Sequence, residues 1–389
     1  MHRNDIATAS SLMMYASSVV IVPVSLLQLS DELSFSLAEG GALETGRILL
    51  LIVTLFISGT IASRLGKSRT IAIGLMLMSV SLIIAGFAET YWTLLLLLLV
   101  IGFGSGFAEA LINPLINDTH PENPGKYLNI INAFFSFGVV SAVLVSGFLI
   151  AAGISWRYLF IGFGILMLVP ALILLPQKGL EHESGQFVSF RHWMECLRHR
   201  NFWIMVVTIF MGAACEGAFT FWSASYIQLH FSANASAGGI GTALFAGGMF
   251  AGRIVTGHLS RGYEQDRKLM LLFAVFGIFI AAAAYFITTL LLFYLVLFMA
   301  GCIVAPFWPS IQGISPYYTR GDATLLFILL SCAGIPGFGL VSFIMGIIAD
   351  NSSLHTALLV IPVAFLLLAL SLALLRPMST GQRQEKRIE

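Results

Sequence analysis

Long apolar runs separated by short polar breaks dominate this chain. Runs suited to helices fall at 11–29, 41–62, 70–88, 91–116, 127–151, 157–176, 201–229, 237–258, 268–287, 290–312, 323–349 and 354–376. Several exceed the roughly 20 residues that a helix needs to cross the hydrocarbon layer. Lipid admits only helices or closed barrels, and these runs lack the apolar and polar alternation of a barrel strand. The pattern predicts an all-α integral membrane protein with twelve transmembrane helices.

The longest polar break, Gln177 to Arg200, falls at mid-chain. It divides the sequence into a six-helix bundle over 1–176, a cytoplasmic linker over 177–200, and a second six-helix bundle with a cytoplasmic tail over 201–389. Within the linker Phe190, Trp193, Met194 and Leu197 recur at helical spacing beside Arg191, Glu195 and Arg198. That spacing suits a helix lying in the membrane interface, with a plain tether as the alternative. The two halves echo each other. Gly59-Thr-Ile-Ala-Ser-Arg64 closes span two and Gly257-His-Leu-Ser-Arg261 closes span eight, each followed by further basic residues. Asn113-Pro-Leu-Ile-Asn-Asp-Thr-His-Pro121 ends span four, and Trp308-Pro-Ser-Ile-Gln-Gly-Ile-Ser-Pro316 ends span ten in the same register. A parallel six-span repeat is the economical explanation, so the two bundles are expected to be pseudo-symmetric, with a site near midplane between them.

Composition supports a bilayer environment. Hydrophobic residues make up 58% and charged residues 10%, with a mean hydropathy of +0.92. An average soluble domain has roughly 45–50% apolar and 25% charged residues. A lone span attached to a soluble domain is excluded, and Met1 to Ser10 leads into a span without a small-residue cleavage site, so no cleavable signal is expected. Most basic residues fall on one face of the predicted topology, among them Arg64, Lys67, Arg69, Lys126, Arg198, Arg267 and Arg387. The opposite loops carry Asp31, Glu32, Glu39, Glu89, His230 and His355, with Arg157 as their basic residue. The positive-inside rule then places both termini in the cytoplasm, in a cytoplasmic or inner membrane. Cys196, Cys215, Cys302 and Cys332 lack metal-ligand or redox-pair spacing and read as packing residues.

The candidate chemistry lies in the few charged residues within the spans. Glu109 sits in span four with Asn113 four residues on and Gly102 and Gly106 before it. The i, i+4 spacing puts Glu109 and Asn113 on one face, and the glycines thin the helix for a close neighbour. Counted from the helix ends, Asn132 of span five lies at a comparable depth, within roughly a turn at 1.5 Å per residue. An intramembrane acid usually marks a pathway, the plainer role being a structural hydrogen bond between helices. Glu216 in span seven has Thr220 and Ser223 on its face, with Phe219, Trp222 and Tyr226 nearby. Low dielectric disfavours a charged carboxylate, which suits proton loading, and aromatics beside hydrogen-bonding groups suit a sugar. Trp222 and Tyr226 serve equally well as interfacial anchors.

Glu44 and Arg47, three apart at the start of span two, are expected near the outer surface as an ion pair or gate. Arg64 and Arg253 stand near the cytoplasmic ends of spans two and eight as further gate residues, and Asp350 at the end of span eleven reads as solvated. Asp118, His120 and Glu122 form a polar turn rather than a metal site. Phosphate loops, hydrolase elbows, zinc-protease helices and paired CxxC motifs are absent from the sequence, so neither an enzyme nor ATP-driven transport is expected.

The chain resembles the major facilitator superfamily of secondary transporters. Gly59-Thr-Ile-Ala-Ser-Arg-Leu-Gly-Lys-Ser-Arg69 is similar to that superfamily's loop after span two, although Ser63 replaces the usual aspartate. Ala108-Glu-Ala-Leu-Ile-Asn-Pro114, Pro121-Glu122 and Asn129-Ile-Ile-Asn-Ala-Phe-Phe-Ser-Phe-Gly138 resemble the fucose:proton symporter family. So do Gly212-Ala213 with Trp222-Ser223 and Tyr226, and Gly252-Arg253 with Gly257. The resemblance implies a rocking-bundle symporter in which Glu109 and Asn132 line the sugar and proton pathway. Val19, four residues before Pro23, replaces the family's second acid, and Glu216 is the candidate substitute.

The expected protein is therefore a monomeric secondary transporter of a small neutral polar solute, a monosaccharide first of all, moved by proton symport. Glu109, Asn113, Asn132, Glu216, Phe219, Thr220 and Trp222 are the expected substrate contacts, and Glu109 and Glu216 the proton carriers. The bilayer is its surroundings, with no nucleic acid, metal or cofactor expected. A proton-coupled exporter of drugs or metabolites, and a non-transporting membrane sensor, are the alternatives.

Overall fold

A computed structural model describes residues 3–120, 124–177, 197–260, 262–319 and 323–377. Among the described residues, twelve helices are long and apolar enough to cross a membrane. The first six are Asp5–Leu33, Leu37–Leu65, Lys67–Ala85, Tyr91–Ile116, Phe134–Ala151 and Trp156–Leu174. The second six are Arg200–His230, Ala235–Leu259, Tyr263–Phe286, Leu290–Tyr318, Leu329–Asn351 and Leu354–Leu374. These are spans one to twelve. Helices run past the apolar cores marked by hydropathy, as in Arg3–Leu33 and Leu37–Leu65, whose polar ends continue the helix. Span ten extends to Tyr318 and breaks between Val304 and Phe307, where Pro306 has no N–H to give. The proposed interfacial helix of the linker lies, apart from Leu197 and Arg198, outside the described residues.

An even number of spans puts both termini at one end of the molecule, here called the terminal end. At the far end the spans begin with side-chain caps. Ser36, Thr90, Ser155, Asn234 and Ser353 accept backbone N–H groups of Glu39, Thr93, Arg157, Ala237 and Thr356 at 3.1–3.3 Å. Ser36 forms a full capping box, with the Glu39 carboxylate accepting the Ser36 N–H at 2.8 Å. Two residues before three of these caps the chain turns through positive φ: 54° at Ser34, 85° at Gly153 and 52° at Ser232. Ser34 and Ser232 occupy matching places in the two halves. The repeat thus extends to this turn, which has a serine at positive φ in both halves.

The halves meet through spans two and eleven and through spans five and eight. At the first seam a Cβ on Gly41 would stand 2.5 Å from the Ser342 carbonyl oxygen, and at the second a Cβ on Gly239 would stand 2.5 Å from that of Val143. Only glycine allows backbones this close. Hydrogen bonds also cross at the far end. The Asp350 carboxylate accepts the N–H groups of Leu37 and Ala38, each at 2.9 Å, and the Thr45 hydroxyl donates to the Gly339 carbonyl at 2.8 Å. Asp350 is not simply solvated, as its place at a helix end suggested. It caps a helix of the other half, supplying negative charge where the first-turn N–H groups of span two lack partners.

At the terminal end each half is tied internally. Lys67 pairs with Asp118, His120 Nε2 lies 2.7 Å from Asp5 Oδ1, and Tyr318 donates to Glu264 at 3.0 Å.

Candidate functional site

The first acid is positioned by the glycines that precede it. A Cβ on Gly102 would lie 2.0 Å from the Arg47 carbonyl oxygen, and one on Gly106 would lie 2.5 Å from Thr54 Cβ. Span four is therefore pressed against span two, and this contact carries Glu44 and Arg47 into the bundle. They are 2% and 4% exposed, so the ion pair they form is enclosed by protein. The helix begins at Leu37, so Glu44 lies two turns into it. Arg47 Nε donates to Glu44 Oε2 at 2.9 Å and Nη2 donates to Oε1 at 2.6 Å. Arg47 Nη1 is buried and has no hydrogen-bond partner among the described residues.

Glu109 is half-buried on the next part of span four. Its carboxylate has the Tyr15 hydroxyl of span one as side-chain neighbour, and Arg47 lies within electrostatic reach. Tyr15 is buried, with its ring edge-on to Phe135 at 5.9 Å. Sequence reasoning passed over Tyr15, because one tyrosine in an apolar helix resembles any other core aromatic. Asn113, one turn toward the terminal end, is exposed. Asn132 lies on the span-five helix, Pro124–Ala151, and its side chain is outside the described residues.

The second acid comes from the other half. Glu216 is half-buried on span seven, where a Cβ on Gly217 would stand 2.8 Å from Phe338 Cα of span eleven. Arg253 of span eight and Glu109 both lie within electrostatic reach of its carboxylate. The helices thus bring two acids from separate halves into one region. Arg253 belongs beside Glu216, while Arg64 is exposed at the end of span two.

The aromatic residues are more enclosed than expected. Phe219 packs on Phe245 with ring centroids 5.3 Å apart, and Thr220 is 8% exposed. The Trp222 indole N–H donates to the Ser342 carbonyl at 3.2 Å, and the Tyr226 hydroxyl lies 3.0 Å from His355 Nδ1. Trp222 and Tyr226 are 1% and 0% exposed, so neither has the half-exposed setting of an interfacial anchor. Phe219 and Trp222 line the inside of the second half instead of presenting open faces.

The loop after span two works differently from the motif it resembles. The Ser63 hydroxyl donates back to the Thr60 carbonyl at 2.8 Å, and the charge pairing falls to Lys67 with Asp118. The polar turn at 118–122 is likewise engaged: Asp118 with Lys67 and His120 with Asp5, while Glu122 lies outside the described residues. Among the described residues, no three His, Cys, Asp or Glu side chains gather as metal ligands.

Solved structures with the same arrangement include a D-xylose-proton symporter, 14% identical with a TM-score of 0.80 over 97% of this chain and 98% of that one. A bacterial homologue of the human lysosomal transporter Spinster, in an inward-facing and occupied conformation, is 16% identical with a TM-score of 0.77 over 95% of each chain. At these identities the likeness concerns the fold. Curated relatives include "Probable vesicular acetylcholine transporter-B" of Danio rerio, 34% identical over 143 residues, which cover 35% of this chain and 29% of that protein. Quinolone resistance protein NorA of Staphylococcus aureus is 27% identical over 190 residues, or 45% of this chain and 47% of that protein. The chain thus matches less than half the length of either relative. The family model for the Major Facilitator Superfamily matches residues 6–338, and the chain belongs to that superfamily of membrane transporters.

Proposed function

We propose that this transporter takes up a small neutral polar solute, with a monosaccharide as the leading candidate, together with protons and by alternating access. The observation that carries this reading is the convergence of Glu109 and Glu216, one from each half, within electrostatic reach of each other and both half-buried. Two nearby carboxylates in low dielectric resist being charged together, so their proton content responds to whatever opens or fills the space between the halves. Asn113 and Asn132 supply hydrogen-bonding groups for hydroxyls, while Phe219 and Trp222, enclosed in this state, would meet a sugar ring only once their packing opens. Glu44, Arg47, Arg64 and Arg253 are the charged gate groups.

The halves are held together at the far end by Asp350, Thr45 and the close glycine seams. Asn113 is exposed on the terminal side of Glu109. These facts support an arrangement open toward the terminal end, which the distribution of basic residues assigns to the cytoplasm. Affinity with the fucose:proton symporters rests on the span-four, span-five and span-seven residues, and the fold shared with a D-xylose-proton symporter is compatible with it. The partial match to a quinolone resistance protein favours a second reading, export of an organic solute in exchange for protons.

Counterflow in proteoliposomes with L-fucose and D-xylose as probes tests the proposal. Glu109→Gln and Glu216→Gln should each keep solute exchange and lose at least tenfold in uphill uptake driven by a proton gradient. Undiminished uphill uptake in both variants would remove the acids from coupling. Uptake indifferent to pH but dependent on sodium would replace the proton.

A further inference from the structure

Arg47 carries a whole amino group, Nη1, that its surroundings among the described residues do not use. A guanidinium has five donors and no acceptor, and it keeps its charge in any protein setting. Here Nε and Nη2 are chelated by Glu44 at 2.9 and 2.6 Å, while Nη1 has no partner although the residue is 4% exposed. A buried donor without a partner is unfavourable, and charged donors most of all. The groups within electrostatic reach of Arg47 are Glu44 on its own helix, Tyr15 on span one and Glu109 on span four. Span three meets span four there through Gly74 and Met78, which do not titrate. Span seven contributes Glu216, with Arg253 beside it.

We propose that Arg47 is a positioning residue for Glu109, a cation shared between two carboxylates that is chelated by Glu44 in this state and turns toward Glu109 once that side chain has given up its proton. The inference rests on the reading of Glu109 as a proton-carrying acid. In the step, the proton leaves the half-buried Glu109 carboxyl oxygen for water. The resulting carboxylate accepts the Nη1 hydrogen of Arg47, and the guanidinium remains protonated throughout. No covalent bond other than the O–H of Glu109 breaks.

This exchange has a mechanical consequence. Thr45, between Glu44 and Arg47, holds the Gly339 carbonyl of span eleven, and the Arg47 backbone rests on Gly102 of span four. Because that backbone is already pinned against span four, a change of partner at Arg47 bears on the same turn of span two that seals the two halves. Proton release from Glu109 is in this way connected to the far-end seam without a second acid in span one.

The test uses the purified full-length chain in lipid and infrared difference spectroscopy of its carboxyl groups, with protons as the only ligand. Loss of a band in Glu109→Gln identifies the protonated Glu109 carboxyl. At the pH where that band is half developed in the unaltered protein, Glu44→Gln frees Arg47 and should reduce the band to less than a fifth of its full height. The charge-neutral double variant Glu44→Gln with Arg47→Gln, which preserves the shape of the pair, should restore it to nearly full height. A band of equal height in all three proteins would overturn the role of Arg47 and leave Glu109 as a proton carrier. A Glu109 band that never titrates would overturn both this inference and the proton-coupled reading beneath it.

Discussion

At the scale of single residues, space and charge are used unevenly, and substitutions should reveal it. Gly102→Ala places a methyl group 2.0 Å from the Arg47 carbonyl oxygen, against backbone that cannot swing aside. Overpacking of this kind costs about 1–3 kcal/mol, so the variant should melt at a clearly lower temperature in detergent. Gly59→Ala meets nothing within 4 Å and removes a flexible residue from a helix, which is worth roughly 0.5–1 kcal/mol in the opposite direction. A lower melting point for Gly59→Ala, or an unchanged one for Gly102→Ala, would contradict this account of the span-two and span-four contact. Arg157→Ala should also destabilise, because its guanidinium holds the Gly86 and Ala88 carbonyls at 3.2 and 2.7 Å and stands 4.6 Å over the Trp156 ring. Arg157→Lys should recover only part of the loss, since one ammonium nitrogen can serve the two carbonyls but leaves Glu32 without its Nε partner and Trp156 without a planar group over its ring. Glu109 and Glu216 were legible in the sequence because an acid in a membrane-length apolar run has few explanations. Tyr15 and the burial of Arg47 were not. Their surroundings depend on which helix lies beside them, and no spacing within one helix encodes that.

At the scale of whole helices, ends matter more than middles. Each span was recoverable from hydropathy because length and apolarity are what lipid selects. Helix ends were displaced by a few residues, since a helix continues wherever a neighbour or a cap satisfies its backbone. Asp350 shows why the seam was illegible: its partners Leu37 and Ala38 stand 313 and 312 residues away. A carboxylate at a helix N-terminus contributes on the order of 0.3–1 kcal/mol, more where it is partly buried. Asp350→Asn keeps an acceptor oxygen but loses the charge and one of two equivalent bonds. With spin labels at Glu89 and Thr289, exposed in the far-end loops of the two halves, the variant should populate longer distances several-fold more often than the unaltered chain. Because Thr45 and Arg47 tie this seam to Glu109, the looser seam should also lower the protonated Glu109 band at a given pH. An unchanged distance distribution would mean that the glycine seams alone hold the far end closed.

At the scale of the molecule, the question is which way protons move relative to solute, and the architecture makes the outcomes opposite in sign. In symport both halves must pass through the closed state with Glu109 or Glu216 protonated and the solute bound, so solute and proton disappear from the same compartment. In exchange the solute displaces the proton, and the two disappear from opposite compartments. This criterion holds whichever way the protein is inserted in a vesicle, and so does not depend on locating the termini. The half-buried state of both acids beside an exposed Asn113 favours joint occupancy, because a hydroxylated solute hydrogen-bonds a neutral carboxyl without paying to neutralise a charge. Proteoliposomes with an external pH dye, given L-fucose or D-xylose on the outside, should therefore become more alkaline outside as the sugar enters. Glu109→Gln should abolish that signal while sugar exchange continues. External acidification driven by sugar entry would instead establish exchange, and the same two acids would then be read as the proton-return path of an exporter.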